Sequence, residues 1–287
     1  MKKIIKIAST IATVVFVGIV VFFIWFGIAW SRDEARAKQR RDDQDSGKEA
    51  FGDQPALFAV AQAIVRNDQE GIRAALKNVP DLNAAGRDGE TLLYFAVLQT
   101  FHKERWVEAV KTLLSAGAAP NYNNGQKSSF ALAMAAQGST AVLRAMLDGG
   151  GDPNGRDEKG VPIIFSNWDV GGYPERERQA RFALLLERGV DVNATMPETG
   201  RCCHGYSLLL YRMSKGLHDS DEQAYADVLQ LLERGADPHR AAPSGKTFAQ
   251  MLIEHRDHFA GEKKAPPRQF QVLWEWAQAR GILAESQ

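Results

Sequence analysis

The sequence predicts an all-α fold, a solenoid of about six stacked helix-turn-helix units preceded by one N-terminal transmembrane helix. Two observations support this prediction. A short pattern, in which a leucine-rich helix end is followed by glycine and a polar turn, recurs along most of the chain. Near the N-terminus, residues 7–30 contain no charged side chain. Such a run is long enough to cross a bilayer core of about 30 Å.

The recurring pattern is clearest in residues 113–121, which read Leu-Leu-Ser-Ala-Gly-Ala-Ala-Pro-Asn. Further copies cover residues 146–154, 185–193 and 231–239, and an eroded copy ends at 81–83. Glycine follows each helix end, where the chain needs a left-handed residue: Gly117, Gly150, Gly189 and Gly235. A hydroxyl residue that can cap a helix precedes four apolar runs: Thr91, Ser129, Ser207 and Thr247.

This arrangement resembles the ankyrin repeat, whose unit is about 33 residues and whose turn is similar to Gly-Ala-Asp-Pro-Asn. The interval from Asn121 to Asn154 has this length, and the other intervals are longer. Residues 55–76 predict an N-terminal helix pair broken at Asn67, and residues 269–280 predict the closing helix. The repeat domain is therefore assigned to residues 51–287.

Residues 1–6 form a short basic tail with Lys2, Lys3 and Lys6, and residues 7–30 predict a transmembrane signal anchor. A cleavable signal peptide is the alternative, because it also begins with a basic tail. Residues 31–50 are mostly charged, so they predict a solvated spacer that buries no face.

The orientation of the anchor has two interpretations. Five Lys or Arg residues follow the apolar run and three precede it, a balance that would keep the domain on the cytoplasmic face. A short lysine-bearing tail before an apolar run is instead typical of a signal anchor. For a bacterial source, we predict a single-pass inner (plasma) membrane protein with a periplasmic repeat domain.

The composition offers little support for chemistry. Lys+Arg and Asp+Glu are both 35, without the basic excess of nucleic-acid binders. The only cysteines, Cys202 and Cys203, are adjacent, and we interpret them as two thiols, with a redox role as the alternative. His255 and His258 share a helix face but lack further metal ligands nearby in sequence. We predict no enzyme activity, cofactor, metal, nucleic acid or small-molecule substrate.

The resemblance implies binding of another protein through the concave face, the finger turns and the insertions of the stack. Insertions near residues 100–106, 167–178, 197–206 and 216–222 favour that interpretation, and tolerated loop drift is the alternative. The candidate partner-binding residues are polar or aromatic and lie next to these turns and insertions. They are Tyr122, Asn124, Lys127, Arg156, Glu158, Trp168, Tyr173, Arg201, His204 and Tyr206.

Two functions are compatible with such a surface. One is an immunity protein, an inhibitor that covers the active site of a toxin at the membrane. The other is a structural scaffold or assembly factor of an envelope complex, with no inhibitory role.

Overall fold

A computed structural model describes residues 38–39, 42–102, 106–126, 129–168, 173–200, 202–218 and 222–283. The predicted basic tail and signal anchor, residues 1–30, lie outside these residues. Within the described ranges, no helix combines the length and the apolar character needed to cross a membrane.

A short helix, α1 (Lys48–Phe51), precedes six helix pairs in the described part of the chain. The pairs are α2 (Pro55–Arg66) with α3 (Gln69–Leu76), α4 (Leu92–His102) with α5 (Val107–Ser115), α6 (Ala131–Ala135) with α7 (Thr140–Asp148), α8 (Ile163–Ser166) with α9 (Glu175–Glu187), α10 (Leu208–His218) with α11 (Gln223–Glu233), and α12 (Phe248–Gly261) with α13 (Arg268–Ala279). The predicted all-α stack of about six units is confirmed.

The pairs stack so that like helices meet. The first helices α2, α4, α6 and α8 contact one another in sequence, and the second helices α3, α5, α7 and α9 do the same. Their buried side chains form one continuous cluster from Ala50 to Ile282. No single pair could enclose its leucine stripe, and stacking supplies the missing cover.

Finger turns join each pair to the next, and we number them by the pair that they precede. They are finger turn 2 (residues 83–91), finger turn 3 (117–130), finger turn 4 (150–162), finger turn 5 (189–207) and finger turn 6 (235–247). Isolated bridges such as Arg156 with Pro162 and Thr195 with Ser207 close these turns as narrow hairpins.

The predicted turn glycines are confirmed, since Gly117, Gly150, Gly189 and Gly235 all have positive φ, from 79° to 105°. Thr91, Ser207 and Thr247 accept hydrogen bonds from the first turns of α4, α10 and α12, as predicted. The prediction for Ser129 is wrong. Its hydroxyl accepts from the Asn124 N–H and donates to the Gln126 carbonyl, so it stabilises finger turn 3 instead.

The predicted spacer is folded at its C-terminal end, in contrast to our expectation for residues 31–50. Gly47 and Ala50 are buried, and the Phe51 ring packs edge-on against Phe95 at 5.8 Å between centroids. Gly47 has a φ of 75°, and a Cβ there would stand 2.8 Å from the Cβ of Ala61. Residues 42–51 therefore cover the first helices of pairs one and two, and the packed domain begins earlier than residue 51.

The described ends of two predicted insertions also belong to helices or to the core. Thr100 and Trp106 are 1% and 7% exposed, so the ends of the first insertion belong to the core between α4 and α5. The charged run 175–178 forms the first turn of α9. Charge alone did not distinguish a solvated loop from a helix start, because acidic residues also favour the first turn of a helix.

Candidate partner-binding surface

Asparagine side chains tie successive finger turns together along one edge of the stack. Each asparagine Oδ1 accepts a hydrogen bond from a backbone N–H in the next turn. The pairs are Asn83 with Ala119 (2.9 Å), Asn121 with Asp152 (2.8 Å), Asn154 with Asp191 (2.6 Å) and Asn193 with Asp237 (2.8 Å). We call these four asparagines the asparagine ladder, and the edge of the stack formed by the finger turns the finger edge. The asparagine ladder holds the finger edge in register together with the core.

We expect Asn121→Ala to lower the free energy of unfolding by about 1–2 kcal/mol, because it removes two bonds between turns. Besides the Oδ1 bond, Asn121 Nδ2 donates to the Gly150 carbonyl at 2.9 Å. Denaturant unfolding of the full-length chain measures the change. The exposed Asn78, which lies in the turn after α3, provides the control Asn78→Ala. Equal effects of the two variants would contradict a role for the asparagine ladder.

A groove of about 460 Å³ opens between finger turns 3 and 4. Buried apolar side chains and polar groups of the two turns line it together. The lining includes Tyr122, Phe130, Leu132, Asn154, Arg156 and Ile163. The volume lies in the range of protein binding pockets, so the groove can accept a large side chain or a short segment of a partner.

Two predicted residues, Tyr122 and Arg156, both line this groove. Tyr122 is half-buried in finger turn 3. Arg156 is exposed in finger turn 4, and its Nη1 donates to the Gly160 carbonyl of the same turn at 2.9 Å. That bond orients the guanidinium while leaving other N–H groups for a partner. The pairing of an aromatic ring with an oriented arginine is typical of interface centres.

The remaining predicted residues of these two turns lie beside the groove. Asn124 is exposed, and its Oδ1 accepts from the Gln126 N–H at 3.0 Å, which shapes finger turn 3. Glu158 is half-buried near the tip of finger turn 4. Lys127 lies outside the described residues.

Finger turn 5 carries two more predicted residues and packs on finger turn 4. His204 is exposed, with Nε2 2.8 Å from the Gly200 carbonyl oxygen, and Tyr206 is half-buried. The Thr199 hydroxyl donates to the Lys159 carbonyl, which joins the two turns. Arg201 lies outside the described residues. The finger edge thus brings together Tyr122, Asn124, Arg156, Glu158, His204 and Tyr206.

The structure does not bring Trp168 and Tyr173 to this edge. Both follow α8, whereas the finger turns precede the first helices, so the two residues lie at the opposite end of the pair. The Trp168 ring is 5.2 Å from Phe182 and 6.4 Å from Tyr211 between centroids. Tyr173 contacts Phe101, from α4, at 5.8 Å. The position of a residue after a turn in the sequence therefore did not predict which residues share one surface of the stack.

We expect Trp168→Ala to lower the free energy of unfolding by about 2 kcal/mol, because the Trp168 ring packs against the core. Tyr122→Ala, in finger turn 3, serves as the control and should cost less than about 1 kcal/mol. Denaturant unfolding and partner binding are measured together. Unchanged stability with lost binding would instead make Trp168 an interface anchor.

Two fully buried arginines support this region, and neither was predicted from the sequence. Arg181 is 1% exposed, and its Nε donates to Asn167 Oδ1 at 2.8 Å. It also donates to the Gly138 carbonyl. Its guanidinium lies 5.3 Å from the centre of the Tyr173 ring. Arg181 thereby fastens the start of the 167–178 segment to the neighbouring unit. The position of Arg181 beside the apolar stripe Phe182, Leu185, Leu186 was the sequence signal that could have predicted its burial.

The second buried arginine, Arg212, forms an ion pair with Asp227. The Nε–Oδ2 distance is 2.7 Å, and the two side chains are 1% and 0% exposed. The Arg212 guanidinium also lies 5.1 Å from the centre of the Trp168 ring. Burial raises the pKa of Asp227, and the contact with Arg212 offsets part of that rise. The pair joins α10 to α11 beneath the half-buried Trp168.

Glu177 links α9 to α7, the second helices of two neighbouring pairs. Its Oε2 accepts from the Thr140 backbone N–H at 2.9 Å and from the Thr140 hydroxyl at 2.7 Å, so it caps the start of α7 from α9. The bond from the backbone N–H lowers the pKa of Glu177 below its ordinary value. Glu177 of the charged run 175–178 therefore stabilises the contact between two neighbouring units.

The two histidines of α12 occupy different surroundings. His255 is 3% exposed, and its Nδ1 lies 3.1 Å from the Tyr225 hydroxyl. His258 is exposed and packs beside Phe259. Over the described ranges, no group of three or more His, Cys, Asp or Glu side chains could hold a metal ion. The expected absence of cofactors and enzyme activity stays a prediction.

Comparison with known proteins supports the fold. No protein-family model matches the chain, and no curated protein sequence matches it. Solved structures do match. An ankyrin repeat domain from Acinetobacter baumannii AYE is 24% identical, with a TM-score of 0.57, and the match covers 78% of this chain and 97% of that one.

Two further structures give the same result. The ankyrin repeat protein EF0377 is 22% identical with a TM-score of 0.54, and the match covers 70% of this chain and 92% of that one. The ankyrin repeat domain of Bcl-3, described as a unique member of the IkappaB protein family, is 22% identical with a TM-score of 0.53. That match covers 69% of this chain and 80% of the other. The protein has an ankyrin-repeat fold.

Proposed function

We propose that this chain is a membrane-tethered module that binds another protein through the groove between finger turns 3 and 4 and the adjoining finger turn 5. The observation that carries the proposal is the groove itself. Tyr122 and Arg156 line it from two neighbouring finger turns, together with the buried apolar side chains of Phe130, Leu132 and Ile163. The asparagine ladder holds these turns in register. Tyrosine and arginine are enriched among the residues that dominate interface energies.

Order in the free protein supports tight binding. Each side chain or loop that must be ordered on association costs free energy, so a surface that is already ordered binds more tightly for the same contacts. The Asn121 and Asn154 bonds and the Thr199 contact with Lys159 hold finger turns 3, 4 and 5 together before any partner arrives. The groove therefore suits recognition of a folded protein.

We propose that the tether leaves from the side of the stack formed by the first helices. Residues 42–51 pack on Ala61 and Phe95, which belong to the first helices α2 and α4. The charged stretch that precedes them leads back to the proposed anchor, residues 7–30. A partner in the groove would then be held close to the membrane. We propose the inner membrane as the location, with the repeat domain in the periplasm.

Within this function, we propose an immunity role, in which the finger edge covers the active site of a toxin. Inhibitor complexes of ordinary interface size are among the tightest known, and they depend on preformed surfaces. The scaffold role is the other outcome of the experiment below, because it predicts several resident envelope partners instead of one toxin.

The experiment compares Arg156→Glu with Arg144→Glu in affinity purification of the full-length chain from solubilised membranes. Both arginines are exposed, but Arg144 lies on the second helix α7, away from the groove. We expect Arg156→Glu to reduce recovery of the partner at least about tenfold, because a negatively charged acceptor replaces an oriented, positively charged donor. Arg144→Glu should recover the partner at the wild-type level.

Mass spectrometry of the recovered proteins then separates the two roles. One stoichiometric partner whose toxicity is relieved by the chain supports immunity, and several envelope proteins support a scaffold. Equal recovery with Arg156→Glu and Arg144→Glu would contradict binding at the groove. Melting curves of both variants establish that the fold is intact.

A further inference from the structure

Two adjacent thiols lie in the inserted residues of finger turn 5. Cys202 is exposed and Cys203 is half-buried, and their Sγ atoms are 3.1 Å apart. Consecutive side chains of an extended segment point to opposite faces, which separates neighbouring cysteines. Here Cys203 has a φ of 58°, a left-handed conformation that breaks the extended run and accompanies the close approach of the thiols.

The backbone around the thiols is fixed on both sides. The Gly205 N–H donates to the Met196 carbonyl at 2.8 Å, and the Met196 N–H donates to the Tyr206 carbonyl at 2.9 Å. The Tyr206 N–H donates to the Cys203 carbonyl at 3.0 Å. The two thiols thus lie at the tip of a pinned loop, with Cys202 accessible to reagents in solvent.

We propose that Cys202 and Cys203 form a reversible dithiol–disulfide site that takes a small-molecule or protein disulfide as its oxidant. The Cys202 thiolate attacks one sulfur of that disulfide, which forms a mixed disulfide and releases one thiol. The Cys203 thiolate then attacks Cys202 Sγ, which closes the S–S bond and releases the second thiol. Two electrons and two protons pass from the cysteine pair to the external disulfide, which is reduced to two thiols.

The product would be easily reduced again. A disulfide between neighbouring residues closes a small ring that cannot reach the usual separation of the two Cα atoms, so it is strained. Strained and exposed disulfides have the more oxidising potentials that are typical of regulatory bonds. This chemistry distinguishes the site from a structural cross-link, which would join distant parts of the chain.

The site acts on the proposed binding surface, and this consequence rests on the proposed function. Ring closure changes the backbone between Cys202 and Cys203 and is therefore expected to move the neighbouring His204. The same loop contacts finger turn 4 through Thr199, and Gly205 lies against Pro243 of finger turn 6. The oxidised chain should present a different finger turn 5 to the partner.

The test treats the full-length chain with buffers of reduced and oxidised glutathione, then alkylates the remaining thiols and digests with trypsin. Cleavage after Arg201 and Arg212 leaves both cysteines in one peptide, residues 202–212. We expect the oxidised peptide to lose two hydrogens and to carry no alkyl group. Treatment with dithiothreitol should restore both alkylated cysteines.

Cys202→Ser and Cys203→Ser are matched controls, and neither should give the peptide that lacks two hydrogens. A stable glutathione adduct without ring closure, a disulfide-linked dimer as the main product, or no reaction would each overturn the proposal. None of these readouts requires a partner, so the redox result is independent of the Arg156→Glu result. Partner recovery from reduced and oxidised chain then measures the regulatory effect, and equal recovery would overturn that part.

Discussion

Asp227→Asn is expected to lower the free energy of unfolding by about 3–5 kcal/mol, because it leaves the Arg212 charge buried without its carboxylate. Both side chains are almost completely inaccessible, and their polar atoms are 2.7 Å apart. The Trp168 ring covers the guanidinium, so water cannot readily solvate the Arg212 charge once the carboxylate is removed. Urea unfolding of the purified full-length chain in detergent measures the change.

The double variant Arg212→Met, Asp227→Leu is the matched control. Replacing a buried ion pair by apolar side chains of similar size is often neutral or stabilising. We therefore expect the double variant to unfold at a higher urea concentration than Asp227→Asn. A loss below about 1 kcal/mol for Asp227→Asn, or a double variant as unstable as the single one, would show that the pair is not buried as described.

Leu186→Asp should cost about 4 kcal/mol or more, because it places an unpaired charge inside the stacked core. Leu186 is 5% exposed on α9, which contacts α7 of the preceding pair. The expected result is loss of the cooperative melting of the central pairs. Circular dichroism during heating of the full-length chain provides the measurement.

Ala183→Asp is the control for this substitution, since Ala183 is exposed on the same helix one turn earlier. It introduces the same charge in the same element, and we expect a change below about 1 kcal/mol. Wild-type melting of Leu186→Asp would mean that the leucine pair of α9 does not face the core and that the repeat register is wrong.

Local rules explain the parts of the fold that the sequence predicted. The left-handed turn after a helix requires glycine, so Gly117 and Gly235 mark helix ends in the sequence itself. A hydroxyl before an apolar run can cap a helix by accepting a hydrogen bond from an N–H of its first turn. Thr247 accepts from the Gln250 N–H in this way, and its own N–H donates to the Gln250 side chain to complete a capping box. These signals span only a few residues and therefore survive the insertions between units.

The candidate site was predicted only in part, because its geometry depends on contacts between units. Tyr122 and Arg156 are separated in sequence, and only the stacking of two turns creates the groove between them. Trp168 was predicted beside them from its place in an insertion. Its ring instead packs on Phe182 and over the Arg212 guanidinium, and no local pattern indicated the burial of Arg212 and Asp227.

The most direct test of the proposed function is photo-cross-linking from defined positions on the repeat domain. A photoreactive phenylalanine analogue replaces Tyr122 in the groove or Arg144 on α7, in the full-length chain in intact cells. After irradiation, we predict a covalent adduct with a second protein from position 122 and none from position 144. An adduct from position 144, with none from position 122, would contradict the finger edge as the partner-binding surface.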